Sequence, residues 1–196
     1  MTSSSTQTLD LALIYGSARP GRFCDTVARW AVERIERHGG FGLDVIDPID
    51  PAVALGVAGT DAEARAALRR RLGQADAFVV VVPEYNHSYP APLKALIDSG
   101  KDEWNAKPVA FVSYGATSGG IRAVEHLRQV FAELHAFGTR DGVVFANAWS
   151  QFDEAGALRE PTGAETAARV MLARLGWWAR ALREARAVLP YAEATA

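Results

Sequence analysis

Runs of consecutive apolar residues alternate along this chain with segments whose apolar positions recur every three or four residues. The densest run, Val79 to Val82, is four valines in a row, the pattern of a strand buried on both faces within a parallel sheet. Pro83 ends it, because proline has no N–H for the next rung of a ladder. Similar runs predict strands over Leu9 to Tyr15, Leu43 to Ile46, Pro108 to Tyr114 and Gly142 to Ala146. Between them the period lengthens. Asp25 to His38 places Val27, Trp30, Ala31 and Ile35 on one helical face and stops at Gly39–Gly40. Further helices are expected over Asp61 to Leu72, Pro90 to Ser99, Gly120 to Ala136 and Thr162 to Ala187. Pro48 and Pro51 punctuate a loop after the second strand, and Trp149 to Pro161, the longest irregular stretch of the second half, is expected to cover a site edge or a partner.

Strand followed by helix, five times over, predicts an α/β fold with a parallel sheet covered on both faces. Five strands favour a flavodoxin-like three-layer sandwich in the order 2-1-3-4-5 over the six-stranded dinucleotide order. The chain has 196 residues, enough for one well-buried domain. That domain is expected over residues 9–190, preceded by a flexible polar stretch over residues 1–8.

Charge and composition narrow the function by exclusion. A net charge of −2 leaves no basic footprint for nucleic acid or an anionic membrane, and no apolar run reaches the length of a bilayer span. The first residues lack a basic start and apolar block, so a cytoplasmic protein is expected. Cys24 is the sole cysteine, and His38, His87, His126 and His135 show no metal-binding spacing, so no metal site is expected.

Candidate chemistry gathers at the carboxyl ends of three predicted strands, where open α/β sheets bind ligands. The first strand runs into Gly16–Ser17–Ala18–Arg19–Pro20–Gly21–Arg22–Phe23–Cys24 and then a helix. Small residues, a helix N-terminus, the Ser17 hydroxyl and the forks of Arg19 and Arg22 make a phosphate cup. It is no Walker A loop: Arg22 and Phe23 stand where lysine and Ser/Thr would be needed. The Rossmann glycine pattern and the acidic cluster of a receiver domain are also absent. The third strand delivers Pro83–Glu84–Tyr85–Asn86–His87–Ser88, and the fourth ends in Ser113–Tyr114–Gly115–Ala116–Thr117–Ser118–Gly119–Gly120, whose glycines let backbone approach a flat ligand. One phosphate cup beside a ring-sized slot matches flavin mononucleotide (FMN).

These three segments resemble the signatures of the NAD(P)H-dependent FMN reductases, a family that includes quinone, azo-dye and chromate reductases. The resemblance spans nearly the whole chain in the expected order. It implies a flavodoxin-like fold, bound FMN, NAD(P)H as co-substrate, a small-molecule acceptor, and a homodimer or homotetramer with the flavin near the subunit interface. Carried over by position, Ser17, Arg19 and Arg22 would hold the phosphate with amides around Phe23 and Cys24. Pro83, Glu84, Tyr85, Asn86, His87 and Ser88 would contact the ribityl chain and ring, and Tyr114, Gly115, Ser118, Gly119 and Gly120 the ring's other edge. The Arg22–Phe23–Cys24–Asp25 stretch departs from the family's usual Ser and Asn after the first arginine. The flavin carries the hydride chemistry, so no catalytic side chain is expected, although His87 has the chemistry to give a proton to a reduced acceptor. Cys24 is expected to be a buried small hydrophobe, Glu84 to brace its loop or a partner, and Trp177 and Trp178 to lie in the core or an interface. The competing readings are a flavodoxin-like electron carrier, usually far more acidic than this chain, and a flavin-binding regulatory protein without turnover.

Overall fold

A computed structural model describes residues 8–194. Strands β1 (Leu9–Tyr15), β2 (Phe41–Ile46), β3 (Ala77–Pro83), β4 (Pro108–Gly115) and β5 (Phe137–Ala146) form one sheet in the order β2-β1-β3-β4-β5. Every neighbouring pair is parallel. Helices α1 (Cys24–His38) and α7 (Thr162–Val188) cover one face; α3 (Ala62–Gln74), α4 (Ala91–Asp98) and α5 (Ile121–Glu133) cover the other.

The strand alternation divides the core in two. Leu11, Leu13, Val79, Val81, Ala110 and Val112 pack with Val27, Trp30, Leu172 and Leu175 under α1 and α7. Their neighbours Ala12, Ile14, Phe78, Val80, Val82 and Phe111 pack with Leu68, Leu93, Trp104 and Leu127 on the opposite face. Successive strand residues point to opposite faces, so an unbroken valine run serves both cores at about 1.5–3 kcal/mol for each fully buried side chain.

Three elements differ from the sequence expectations. The Pro-punctuated loop contains helix α2 (Pro51–Ala58): Asp50 caps it by accepting from the Ala52 amide at 2.9 Å, and Pro51 occupies the first turn. Proline costs little there, since its missing N–H would have had no partner. Strand β5 begins at Phe137 rather than Gly142, because pairing with β4 resumes across an irregularity between Val109 and Phe111. The stretch from Trp149 is partly ordered by α6 (Ala148–Gln151) and a bridge between Phe152 and Leu158. Of the expected flexible stretch over residues 1–8, all but Thr8 lies outside the described residues; the Thr8 carbonyl accepts from Arg183 at 3.1 Å.

Candidate functional site

The β1 end makes the first wall. Gly16 donates to the Val81 carbonyl at 2.8 Å, and a Cβ at Gly16 would stand 2.5 Å from that same oxygen. Only glycine lets the chain leave β1 so close to β3. The loop then turns at Gly21, whose φ is +64°, and enters α1. The amides of Gly21, Arg22, Phe23 and Cys24 have no acceptor among the described residues. They form the partly positive end of a fifteen-residue helix.

Arg22 behaves differently from the expectation that it offers a fork to phosphate. Its guanidinium is turned inward and its side chain is only 4% exposed. It donates to Asp25 Oδ1 at 2.8 Å, to Asp47 Oδ1 at 2.7 Å, and also to Asp47 Oδ2 and the Ser17 carbonyl. Burial lowers the pKa of this group, but hydrogen bonds to Asp47 and Asp25 outweigh it and hold the guanidinium charged. Two carboxylates therefore offset the Arg22 charge, while Arg19 is exposed and has no ion pair among the described residues. Ser17 is also buried, its hydroxyl 2.9 Å from the Tyr85 hydroxyl, which ties the first loop to the third-strand loop.

The third-strand loop is a tight turn. Tyr85 and Ser88 exchange backbone hydrogen bonds at 2.8 and 3.1 Å. Asn86 and His87 between them have φ of +49° and +74°, the left-handed region that costs a non-glycine residue about 1–2 kcal/mol. This strain lies where ligand contact was expected. Glu84 fills its expected bracing role inside the subunit: Ser118 Oγ donates to it at 2.9 Å and Arg122 Nε at 2.6 Å. Burial raises the carboxyl's pKa, while Arg122 and Ser118 lower it further than that, leaving Glu84 below its ordinary value. Ser88 Oγ lies 2.9 Å from His126 Nδ1, and the His87 and His126 rings are 6.1 Å apart. Only the spatial approach of α5 reveals His126.

The β4 end supplies Tyr114 and Gly115, then a loop whose Thr117 and Ser118 amides lack acceptors among the described residues. Gly120 has φ of +86°, and a Cβ there would meet Ser113 Cβ at 2.9 Å. Tyr114 is buried, its ring 6.0 Å from Phe23. Cys24 is buried as expected, and burial pushes its thiol up to about 11 against small opposing effects from Tyr114 and Arg22. It is a packed thiol rather than a nucleophile.

A cavity of about 350 Å³ joins these walls, bordered by Arg19, Gly21, Arg22, Phe23, Pro83, Glu84, Tyr85, Tyr114 and Gly115. Asn86, His87, Ser88, Ser118, Gly119 and Gly120 stand in the loops around it rather than on its lining. The irregular stretch expected to cover a site edge or a partner reaches the cavity at its first residue. Trp149 is 59% exposed, yet borders the cavity 6.1 Å from Phe23. Its helix is fastened to the β4 loop by the Asn147 amide, which donates to the Ala116 carbonyl at 2.8 Å. The Trp177 and Trp178 pair lies on the surface of α7, with Trp178 against Phe137 at 4.7 Å.

A family model described as NADPH-dependent FMN reductase matches residues 9–151. The chain belongs to the NADPH-dependent FMN reductase family. Membership brings an FMN cofactor and NAD(P)H as reductant, and makes the chain an oxidoreductase. It is 34% identical over 188 residues to an NAD(P)H:quinone oxidoreductase of Solanum tuberosum, covering 89% of this chain and 94% of that one. It is 36% identical over 119 residues to an NAD(P)H-dependent FMN reductase of Schizosaccharomyces pombe, covering 56% of this chain and 60% of the relative. Among solved structures, the flavoenzyme NAD(P)H:(acceptor) oxidoreductase FerB from Paracoccus denitrificans superposes with a TM-score of 0.66 at 18% identity. That match covers 88% of this chain and 98% of FerB, and shows the shared fold.

Proposed function

We propose that the cavity holds FMN with its phosphate at the N-terminus of α1, and that the protein passes electrons from NAD(P)H to a small planar acceptor such as a quinone, a flavin or an azo compound. The acceptorless amides of Gly21 to Cys24 beside Arg19 carry this reading. A dianion there gains several backbone donors, the helix dipole and the exposed Arg19 guanidinium. The residues present fit the group: Gly21 on the cavity wall faces open space where a Cβ would stand, and Thr117 and Ser118 offer amides to the ring's heteroatoms.

When bound, FMN supplies the two-electron chemistry between reductant and acceptor. The chain's own work is positional. Arg22, clamped by Asp47 and Asp25, fixes the phosphate loop; Tyr85 through Ser17 fixes the ring loop against it; Glu84 through Ser118 and Arg122 fixes the fourth-strand loop. Preorganised donors of this kind stabilise developing negative charge without reorganisation. The one cavity would admit NAD(P)H and acceptor in turn, a ping-pong sequence. The working unit is a cytoplasmic homodimer or homotetramer; no helix among the described residues is long and apolar enough to cross a membrane.

Protein reloaded with FMN and dialysed stays yellow and oxidises NADH or NADPH with a benzoquinone, giving parallel double-reciprocal lines. Colourless protein overturns the flavin site. Yellow protein that leaves pyridine nucleotide intact supports the electron-carrier reading instead. Sedimentation velocity of the holoprotein reads the oligomer directly.

A further inference from the structure

A second cavity, of about 500 Å³, lies between the C-terminal half of α1 and the N-terminal half of α7. Arg34, Arg37, His38 and Arg169 line it, and among the described residues Glu165 is the one carboxylate on its wall. It shares no lining residue with the flavin cradle. Arg34 stands about ten residues along α1 from Cys24, roughly 15 Å at the helical rise.

Arg34 is the organised centre of this cavity. Its side chain is 14% exposed and its charged carbon lies 5.6 Å over the Trp30 ring. Nη1 is held by Glu165, and Nη2 by Glu33 at 3.0 Å. Its Nε is buried with no partner among the described residues. A donor left without an acceptor on a cavity-lining arginine is a deficit that an acceptor oxygen would fill. The charge balance points the same way. Arg37 reaches Glu165 only at 3.5 Å, and Arg169 has no ion pair among the described residues. Counting Glu33 with Glu165, three guanidinium groups face two carboxylates. Ala168 and Leu172 provide an apolar floor, and the Thr162 and Thr166 hydroxyls are unused among the described residues.

We infer that this cavity binds a small organic anion, its acidic group on Arg34, Arg37 and Arg169 and its apolar body on Ala168 and Leu172. Planar guanidinium forks favour a carboxylate, sulfonate or phosphate ester over a spherical ion, and the apolar floor favours an organic body over inorganic phosphate.

Calorimetric titration of FMN-loaded protein with 8-anilinonaphthalene-1-sulfonate tests the site while the cradle is filled. One micromolar to submillimolar site is expected, with at least tenfold weaker binding in the Arg37→Glu, Arg169→Glu double variant, which changes exposed positions and leaves Arg34 to hold the helices. The neutral analogue N-phenyl-1-naphthylamine is expected to bind at least tenfold more weakly than the sulfonate. Competition by 1-naphthoate and by 1-naphthyl phosphate separates a carboxylate ligand from a phosphate ester. Absence of binding, equal binding in the double variant, or equal binding of the neutral analogue overturns the inference.

Discussion

Replacing Asp47 with alanine tests the division of labour between the two loop arginines. The substitution removes both oxygens that accept from Arg22 Nη1 and Nη2 and leaves the guanidinium with Asp25 and the Ser17 carbonyl. Breaking one side of a buried pair costs about 3–5 kcal/mol. The Asp47 side chain is 23% exposed, so water recovers part of that and about 3 kcal/mol is expected. For 196 residues at roughly 2.1 cal/mol/K each, the entropy of unfolding is about 0.4 kcal/mol/K, so Tm should fall by about 7 °C. Arg19→Ala should do the reverse. It leaves Tm within about 1 °C because Arg19 is exposed, and weakens FMN by about 1.5–3 kcal/mol, roughly 10-fold to 150-fold. Apoprotein melting by circular dichroism and FMN titration by fluorescence quenching read the two effects separately. An Asp47→Ala protein that melts with the wild type, or an Arg19→Ala protein with undiminished FMN affinity, refutes the assignment of Arg22 to the frame and Arg19 to the phosphate.

Other consequences follow from the same geometry. Gly16→Ala drives a methyl into the Val81 carbonyl and should cost at least about 2 kcal/mol, read as a lower urea midpoint; an unchanged midpoint means β1 and β3 separate freely. His87→Gly relieves left-handed strain at φ +74° and should raise stability by about 0.5–1 kcal/mol after glycine's own entropy cost, so a lower midpoint would count against strain in that turn. Trp149→Ala should leave stability nearly unchanged, weaken FMN by about 1 kcal/mol and reduce the tryptophan quenching seen on FMN addition; identical quenching would remove Trp149 from the cavity rim. Burial pushes the Lys107 ammonium from 10.5 down to about 8, with Arg186 adding to the fall and Asp76 opposing it. The unfolded chain then holds more protons between those values, so this group's contribution rises with pH from 8 to 10.5, is fully present above that range, and is lost as pH falls through 8. It amounts to about 3 kcal/mol, and Lys107→Met should flatten the denaturation profile over this window; a variant with the wild-type slope would show that Lys107 is not the titrating group.

The sequence by itself determined the sheet and the edge at which its polar loops gather. Unbroken apolar runs such as Val79–Val82 suit only strands covered on both faces, and the glycines and Pro83 that end those runs leave polar loops at one edge. Helix α2 was legible too, in the Asp50 cap, Pro51 in the first turn and Gly59 past the end, but two prolines close together masked it as a loop. Which way the charged and aromatic side chains point was decided only in three dimensions. An arginine at position 22 can face a ligand, solvent or an acid with equal local sequence; Asp47, twenty-five residues away beyond β2, captured it. Trp149 borders the cavity because the fastened end of β5 carries it over Phe23, and His126 meets Ser88 because α5 crosses beside that turn. Periodicity specifies burial along one element, whereas the energies that orient an ion pair or a ring depend on distances between elements that the local pattern does not encode.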